Sequence, residues 1–458
     1  MLCLYRICFY TTNATLNVRF AYLILLTKWL VFSIISEAMD ASNKRRLKVL
    51  LGCYACEPYR GSEPGMGWNF VFSIAKYHNV HVLVDECEFK ESLTSFSQKN
   101  PDVFSNITLH FIPRKLHETL RKIYPPSFYW FYRNWQKQAY LYAKELDKVE
   151  NFDIVHHITL SGFREPGYLW KLGKPFVWGP LGGFTDTPWC LLGGLGVYGA
   201  FFLATRNIIN FFHKRWGRLS RLAAKNSFAI LTSTHSAQQE IRKFWNREAI
   251  LMNEVGLENS DVVQQSSVHE EGTPLKVCWA GVHEPRKALD LLLKALPYCK
   301  EKIEVHVLSK GPRTQVWKKL AQKMGVEDCV IFHGFVSREK SFRIMAESHV
   351  FCITSVREDT STVVFEAFRY GLPIVALDHC GFAAVIDESS GIKIPIKSKK
   401  QVIRDYALNL DFLAANEDVR QRLSAGALRR CLDFTWEAKM KVINEIYSQA
   451  VKANCFVP

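Results

Sequence analysis

The sequence predicts an α/β chain of two Rossmann-like halves that face each other across a cleft. Three observations lead there. Short apolar, β-branched runs alternate with longer helical stretches from Leu47 to Trp178. A polar run, Asn259 to Thr273, interrupts the alternation, which starts again at Lys276. The length of 458 residues suits two domains. Strands alternating with helices argue for parallel sheets, and such sheets bind ligands beyond their strand C-termini.

Residues 1–45 read as an N-terminal extension. Phe20 to Ser36 is mostly apolar, near the short limit for a membrane span, with Lys28 at its centre. No small-residue cleavage site stands out. Met39 opens Met-Asp-Ala-Ser-Asn-Lys-Arg-Arg ahead of the first clear strand. Two readings stay open: translation from Met39, or a membrane anchor.

The first half is expected over residues 46–258. Leu47–Cys53 reads as a buried strand, and Val80–Val84 and Ile107–Ile112 as the next two. Between the first two, Arg60-Gly61-Ser62-Glu63-Pro64-Gly65-Met66-Gly67-Trp68 reads as a Gly-rich turn, with a helix from Trp68 to Tyr77. Glycines there let backbone approach a ligand. Asp85 lies where a dinucleotide fold places its ribose-binding acid, but G-x-x-x-G-x-G departs from G-x-G-x-x-G and argues against NAD. An aromatic helix, Phe128 to Lys148, precedes strands at Asp153–His157 and Pro175–Trp178. His156 and His157 end a strand, which puts them near the cleft. Leu191 to Lys225 mixes apolar residues and Trp216 with six cations: Arg206, Lys214, Arg215, Arg218, Arg221 and Lys225. Such a segment either lies on an anionic membrane or is a solvated helix face over the core.

Residues 259–273 read as a linker and 274–436 as the second half. Strands are expected at Lys276–Ala280, Val305–Leu308, Val330–Phe332 and Val350–Ile353, with a helix from Arg286 to Leu296. Arg286 and Lys287 would sit at that helix start, where cations are disfavoured unless an anion joins them. The most telling stretch is Glu358-Asp359-Thr360-Ser361-Thr362-Val363-Val364-Phe365-Glu366. A helix starting near Thr362 or Val363 aims free N–H groups outward and attracts phosphate. Glu358 and Glu366 flank it as acceptors for hydroxyl groups. Gly371 and Pro373 then end the helix before a strand, Ile374–Leu377. A phosphate cradle between two hydroxyl acceptors suits a nucleotide sugar.

Composition agrees with large packed cores: 48% of residues are hydrophobic and 22% charged. The net charge of +15 points to anionic partners. No nucleic-acid module is present, so nucleic acid is not an expected partner. The 13 cysteines are scattered. Cys53 and Cys56 have C-x-x-C spacing without a second pair, and reduced thiols in a cytoplasmic protein are the better reading than zinc. No convincing D-x-D-like metal motif occurs.

The stretch from Glu358 to Pro373 resembles the E-x7-E motif of the retaining, group 1 (family 4-like) glycosyltransferases with GT-B architecture. The likeness implies that Glu358 contacts the donor sugar and Glu366 the ribose. The backbone of Ser361, Thr362 and Val363 would hold the diphosphate. Lys287 matches the family's phosphate-binding lysine. Many relatives carry an Arg at the position of Val282, so Arg286 would have to replace it. His333-Gly334-Phe335-Val336 resembles the loop that contacts the base. Residues 437–458 resemble the C-terminal helix that returns to the first domain.

On the opposite wall, the loop with Gly65 and Gly67 is similar to one that faces the donor phosphates. His156 or His157 would contact the reacting end, and Arg164, Gly182 and Gly183 would lie on the acceptor side. The implied enzyme is a hexosyltransferase-type, retaining glycosyltransferase. It would move a sugar from a nucleotide-diphosphate sugar to a glycan or lipid-linked acceptor, in polysaccharide or glycoconjugate biosynthesis, with no metal or other cofactor. An anionic membrane surface is a further expected partner. The implied location is cytoplasmic, peripheral on or anchored to the inner face of the membrane. Two other classes stay open: a nucleotide-sugar epimerase on the same fold, and an inactive nucleotide-sugar-binding protein, which Val282 favours.

Overall fold

The computed structural model describes residues 45–114, 127–258 and 267–454. The apolar stretch Phe20–Ser36, Met39 and the start of the polar run at Asn259 lie outside the described residues. Lys48–Pro458 forms one compact unit.

Two all-parallel sheets organise that unit. The first holds β1 (Lys48–Gly52), β2 (Asn79–Asp85), β3 (Ile107–Ile112), β4 (Ile154–His157), β5 (Phe176–Leu181), β6 (Ala229–Thr232) and β7 (Ile250–Leu251), in the order β3-β2-β1-β4-β5-β6-β7. The second holds β8 (Leu275–Ala280), β9 (Ile303–Leu308), β10 (Val330–Gly334), β11 (Val350–Ile353), β12 (Ile374–Leu377) and β13 (Gly391–Ile394), in the order β10-β9-β8-β11-β12-β13. Val49, Leu50 and Leu51 of β1 and Val350 and Phe351 of β11 are fully buried. Strands covered by helices on both faces read as continuous apolar runs for this reason.

Strand order reverses between β1 and β4, and again between β8 and β11. Loops leaving the C-terminal ends of neighbouring strands diverge at such a point and leave a crevice. Two sequence expectations shift here. The helix after β1 is Ser62–Ala75, so Gly65 and Gly67 lie inside it rather than in a turn. Pro64 is tolerated because first-turn N–H groups have no intrahelical partner. After β8 there is no helix from Arg286: Pro285–Lys287 is a 3-10 turn, Ala288 adopts a positive φ of 47°, and the helix runs only from Asp290 to Ala295.

The last helix, Trp436–Asn454, packs back on the first sheet. Its Tyr447 hydroxyl lies 2.7 Å from His156 Nδ1, and its Asn444 Oδ1 lies 3.0 Å from His78. The Trp436 ring meets Phe70 edge-on at 5.0 Å. Leu191, Leu192, Leu195 and Leu203 from the first half join the hydrophobic core of the second. The halves are thus tied together by more than the linker.

Candidate active site

The crevice contains two chambers. The first, about 440 Å³, is lined by Gly65 and Trp68 on one wall and by Thr362, Phe365, Glu366 and Arg369 on the other. The second, about 410 Å³, is lined by Tyr132, Arg164, Gly182, Gly183, Arg206 and Arg357, among others. Glu63, Met66 and Glu254 border both, so the chambers communicate.

The first chamber's wall follows from helical spacing. The helix Thr362–Arg369 begins after Ser361, whose side chain makes no capping hydrogen bond. Thr362, Phe365, Glu366 and Arg369 recur at three- and four-residue steps and share one face. Val363 lies off that face and packs against the core. Burial raises the pKa of the Glu366 carboxyl, with Arg338 and Arg369 opposing. Gly65 stands across the chamber, but Gly67 does not line it. A Cβ on Gly67 would collide with the Ala55 carbonyl, so this glycine serves close packing and not a ligand.

The cations expected to meet a diphosphate are instead committed to Glu358. Lys287 Nζ lies 2.5 Å and Arg286 Nη1 2.6 Å from Glu358 Oε1, and Arg286 Nε donates to Glu284 at 2.9 Å. Gly281, at the end of β8 with φ 156°, lies against the Lys287 stem, where a Cβ would be 3.0 Å from Cε. Lys287, Arg286 and Glu358 line neither chamber. The spacing-based site therefore divides into a chamber wall, with Thr362 and Glu366, and an ion-paired knot beside it.

His156 and His157 also differ from expectation. His156 is fully buried, with Nδ1 facing Tyr447 and Nε2 2.8 Å from the Gly179 carbonyl. His157 Nε2 lies 3.3 Å from the Tyr132 hydroxyl and 3.2 Å from the Thr159 carbonyl. Burial lowers the pKa of each to about 4. Neither ring lines a chamber, because the returning helix and the Phe128–Glu150 helix cover them. Both rings sit behind the chamber walls.

Arg164, Gly182 and Gly183 do line the second chamber. The Gly183 N–H donates to Asp359 at 3.0 Å, and a Cβ on Gly182 would lie 2.9 Å from Asp359 Oδ2. Small residues are needed where the two halves meet so closely.

Sequence reasoning missed Glu63, Glu254, Asp359, Arg206 and Arg357. Asp359 sits inside the two-glutamate motif, and no local pattern marks Glu254. Burial raises the carboxyl pKa of Glu63 and Asp359, and that of Glu254 well above the usual range, with repulsion from Asp359 adding at Glu63 and Glu254. Lys439, from the last helix, donates to the Asn253 carbonyl at 2.8 Å, and burial lowers its pKa to about 7.

The basic aromatic segment forms helices Gly196–Trp216 and Arg218–Asn226. The first is inverted: Arg206, Asn207, Asn210 and Lys214 face inward, whereas Tyr198, Phe201, Phe202, Phe211, Phe212 and Trp216 face out. Arg206 donates to the carbonyls of Gly183 and Thr185, both at 2.8 Å, and Lys214 pairs with Asp186 and Glu240, both at 2.7 Å. Only four of the six cations therefore remain for an external partner. Among the described residues no helix is long and apolar enough to cross a membrane, and no group of His, Cys, Asp and Glu could hold a metal. Cys53 and Cys56 are buried free thiols.

Two facing parallel sheets with a crevice at their switch points define the GT-B fold. Solved structures share it. A lipopolysaccharide outer core galactosyltransferase, WaaB in apo form, superposes with a TM-score of 0.58 at 13% identity, covering 89% of this chain and 100% of its own. Anabaena HepE, solved with UDP and glucose, gives 0.53 at 13% identity over 88% of this chain and 100% of its own. A glycosyltransferase from Rickettsia africae gives 0.57 at 12% identity over 89% and 100%. Identities this low speak for the fold.

Residues 263–430, a little over a third of the chain, match the family described as Glycosyl transferases group 1. A D-inositol 3-phosphate glycosyltransferase from Streptomyces bingchenggensis is 29% identical over 188 residues, 38% of this chain and 40% of that protein. Another from Thermomonospora curvata is 30% identical over 186 residues, 38% and 42% of the two chains. The matches thus span about two fifths of these relatives' length.

Proposed function

We propose that the protein is a retaining, hexosyltransferase-type glycosyltransferase that uses a nucleotide-diphosphate sugar. The observation that carries this is the first chamber, where Thr362 and Glu366 on one helix face stand opposite Gly65. A helix start, a hydroxyl acceptor and close backbone suit a nucleoside diphosphate. Glu366 accepts from the ribose hydroxyls, and the first-turn amides after Ser361 meet the diphosphate. In the reaction the bond from the sugar C1 to the diphosphate breaks, and C1 bonds to the acceptor oxygen on the same face. The acceptor proton passes to the departing phosphate. Negative charge grows on the leaving group, so Lys287 and Arg286 act by releasing Glu358 and turning to the diphosphate. Glu358 then orients the donor sugar. This chemistry calls for no resident metal or other cofactor.

The acceptor is a glycan or a lipid-linked acceptor, as in polysaccharide or glycoconjugate assembly. The inverted helix supports a place at an anionic bilayer, with outward aromatics beside Arg215, Arg218, Arg221 and Lys225. The protein then acts as a peripheral protein on the cytoplasmic face.

The test is a thermal-shift series with UDP-, GDP- and ADP-sugars, followed by product analysis with and without acceptors. Transfer with an unchanged anomeric configuration is the expected result. A product formed without any acceptor, with the sugar inverted at one carbon, would instead identify an epimerase. Nucleotide binding with no turnover on any acceptor would identify a binding protein.

A further inference from the structure

The second chamber concentrates guanidinium groups. Arg133, Arg164, Arg206 and Arg357 all line it. Arg133 is spent on Glu165 through two hydrogen bonds of 2.7 and 2.6 Å. The other three are not paired with any carboxylate among the described residues. Arg206 is only 8% exposed and is held by two backbone carbonyls, which orient a cation without neutralising it. Arg164 rests 5.8 Å from the Phe163 ring centre.

Burial lowers the pKa of Arg206 to about 10, and Arg357 and Arg164 add to the effect by repulsion. Arg357 is lowered in the same way, first by burial and then by Arg286 and Arg164 among others. Besides Glu165, three carboxyl groups line the chamber: Glu63, Glu254 and Asp359. Burial favours their neutral forms. Asp359, the carboxyl that attracts both Arg206 and Arg357, is engaged by the Gly183 N–H and makes no hydrogen bond to either guanidinium.

A buried cation is costly unless an anion accompanies it. Arg206 is buried and Arg164 and Arg357 are half-buried, and the carboxylates that act on them, Asp359 with Asp186 near Arg206 and Glu358 near Arg357, form no ion pair with any of the three, so that requirement is only partly met. Guanidinium forks also match phosphate and carboxylate oxygens in pairs. We infer that the second chamber is an acceptor subsite for an anionic group, a phosphate or a carboxylate on the accepting sugar, gripped by Arg164 and Arg357 with Arg206 behind them. This rests on the first chamber being the donor side, since an acceptor must enter from the other. It narrows the acceptor from any glycan to a charged one.

The experiment titrates inorganic phosphate and glucuronate into the full-length protein saturated with the best-binding nucleoside diphosphate, so that the donor phosphate site is already filled. The Arg164→Gln and Arg357→Gln proteins are run beside the parent, with Arg357→Lys as the variant that keeps charge and loses the fork. Phosphate or glucuronate should bind the parent, at least tenfold more weakly in each Gln variant, with nucleotide affinity and melting temperature retained. Phosphate alone binding would point to a phosphorylated acceptor, glucuronate binding to a uronic acid. An intermediate loss in Arg357→Lys supports fork recognition. Failure of both anions to bind the parent, or binding that ignores both Gln changes, overturns the inference. Should no nucleotide bind at all, the donor reading fails separately, and the same anion titration is then read without nucleotide.

Discussion

Lys287 and Glu358 close directly on each other, Nζ 2.5 Å from Oε1, with each side chain only 10% exposed. They come from loops beyond different strands of the second sheet, β8 and β11, at its reversal of strand order. Arg286 binds the same carboxylate oxygen. A carboxylate with two cations on one oxygen holds both of them in place.

Lys287→Ala should therefore cut turnover far more than it cuts stability. Arg286 still neutralises Glu358, so the carboxylate is not orphaned, while the leaving group loses a charge it needs. The double variant Lys287→Ala, Glu358→Ala should leave the melting temperature near the parent value and stay inactive. Steady-state transfer rates and thermal melts of both proteins check this. A parental rate in Lys287→Ala would move the cation role to Arg286.

Glu366→Ala should weaken nucleotide binding. A hydrogen bond to a charged group contributes about 1.5–3 kcal/mol, so affinity should fall roughly tenfold or more. Calorimetric titration of the nucleoside diphosphate measures it. Unchanged affinity in the folded variant would remove Glu366 from the ribose.

Acid should destabilise the protein through its sealed histidines. His156 and His157 are held neutral down to about pH 4, whereas unfolded imidazoles take up protons near 6.5. The unfolded state then binds more protons, so the contribution is full above pH 6.5 and is lost as pH falls towards 4. Each ring can account for up to about 3 kcal/mol. Urea titrations at pH 7, 5.5 and 4.5 should show this fall, and His156→Gln should make it shallower. An equally steep fall in the variant would assign the effect to other groups.

The outward aromatics should govern attachment to anionic vesicles. Phe201→Ser and Phe212→Ser together should weaken co-sedimentation with anionic lipid and leave the melting temperature unchanged. Each surface cation adds about 1 kcal/mol on such lipid, and added salt should weaken binding by screening. If the parent ignores anionic vesicles, a soluble acceptor is the better reading.

Much of the fold is legible in the chain. The apolar runs at Val49–Leu51 and Val350–Ile353 are continuous because helices cover both faces of a parallel strand. The shared face of Thr362 and Glu366 on the helix after Ser361 follows from 3.6-residue spacing. These are local properties, set by neighbours within a few positions.

What only the tertiary structure decided lies between distant segments. Strand-end position suggests open histidines, yet Tyr447 from the last helix and Tyr132 from an earlier one close over them. Six cations in one segment suggest a basic surface, yet Arg206 and Lys214 turn inward to carbonyls and carboxylates. Arg164, Arg206 and Arg357 meet at one chamber although nothing in their local sequence links them. The sequence by itself determined the strands, the helix starts and the two-sheet class, because those depend on local propensity and periodicity. Which charges are paired, sealed or left facing the crevice depends on burial and on partners supplied by the other half, and only the assembled chain decides that.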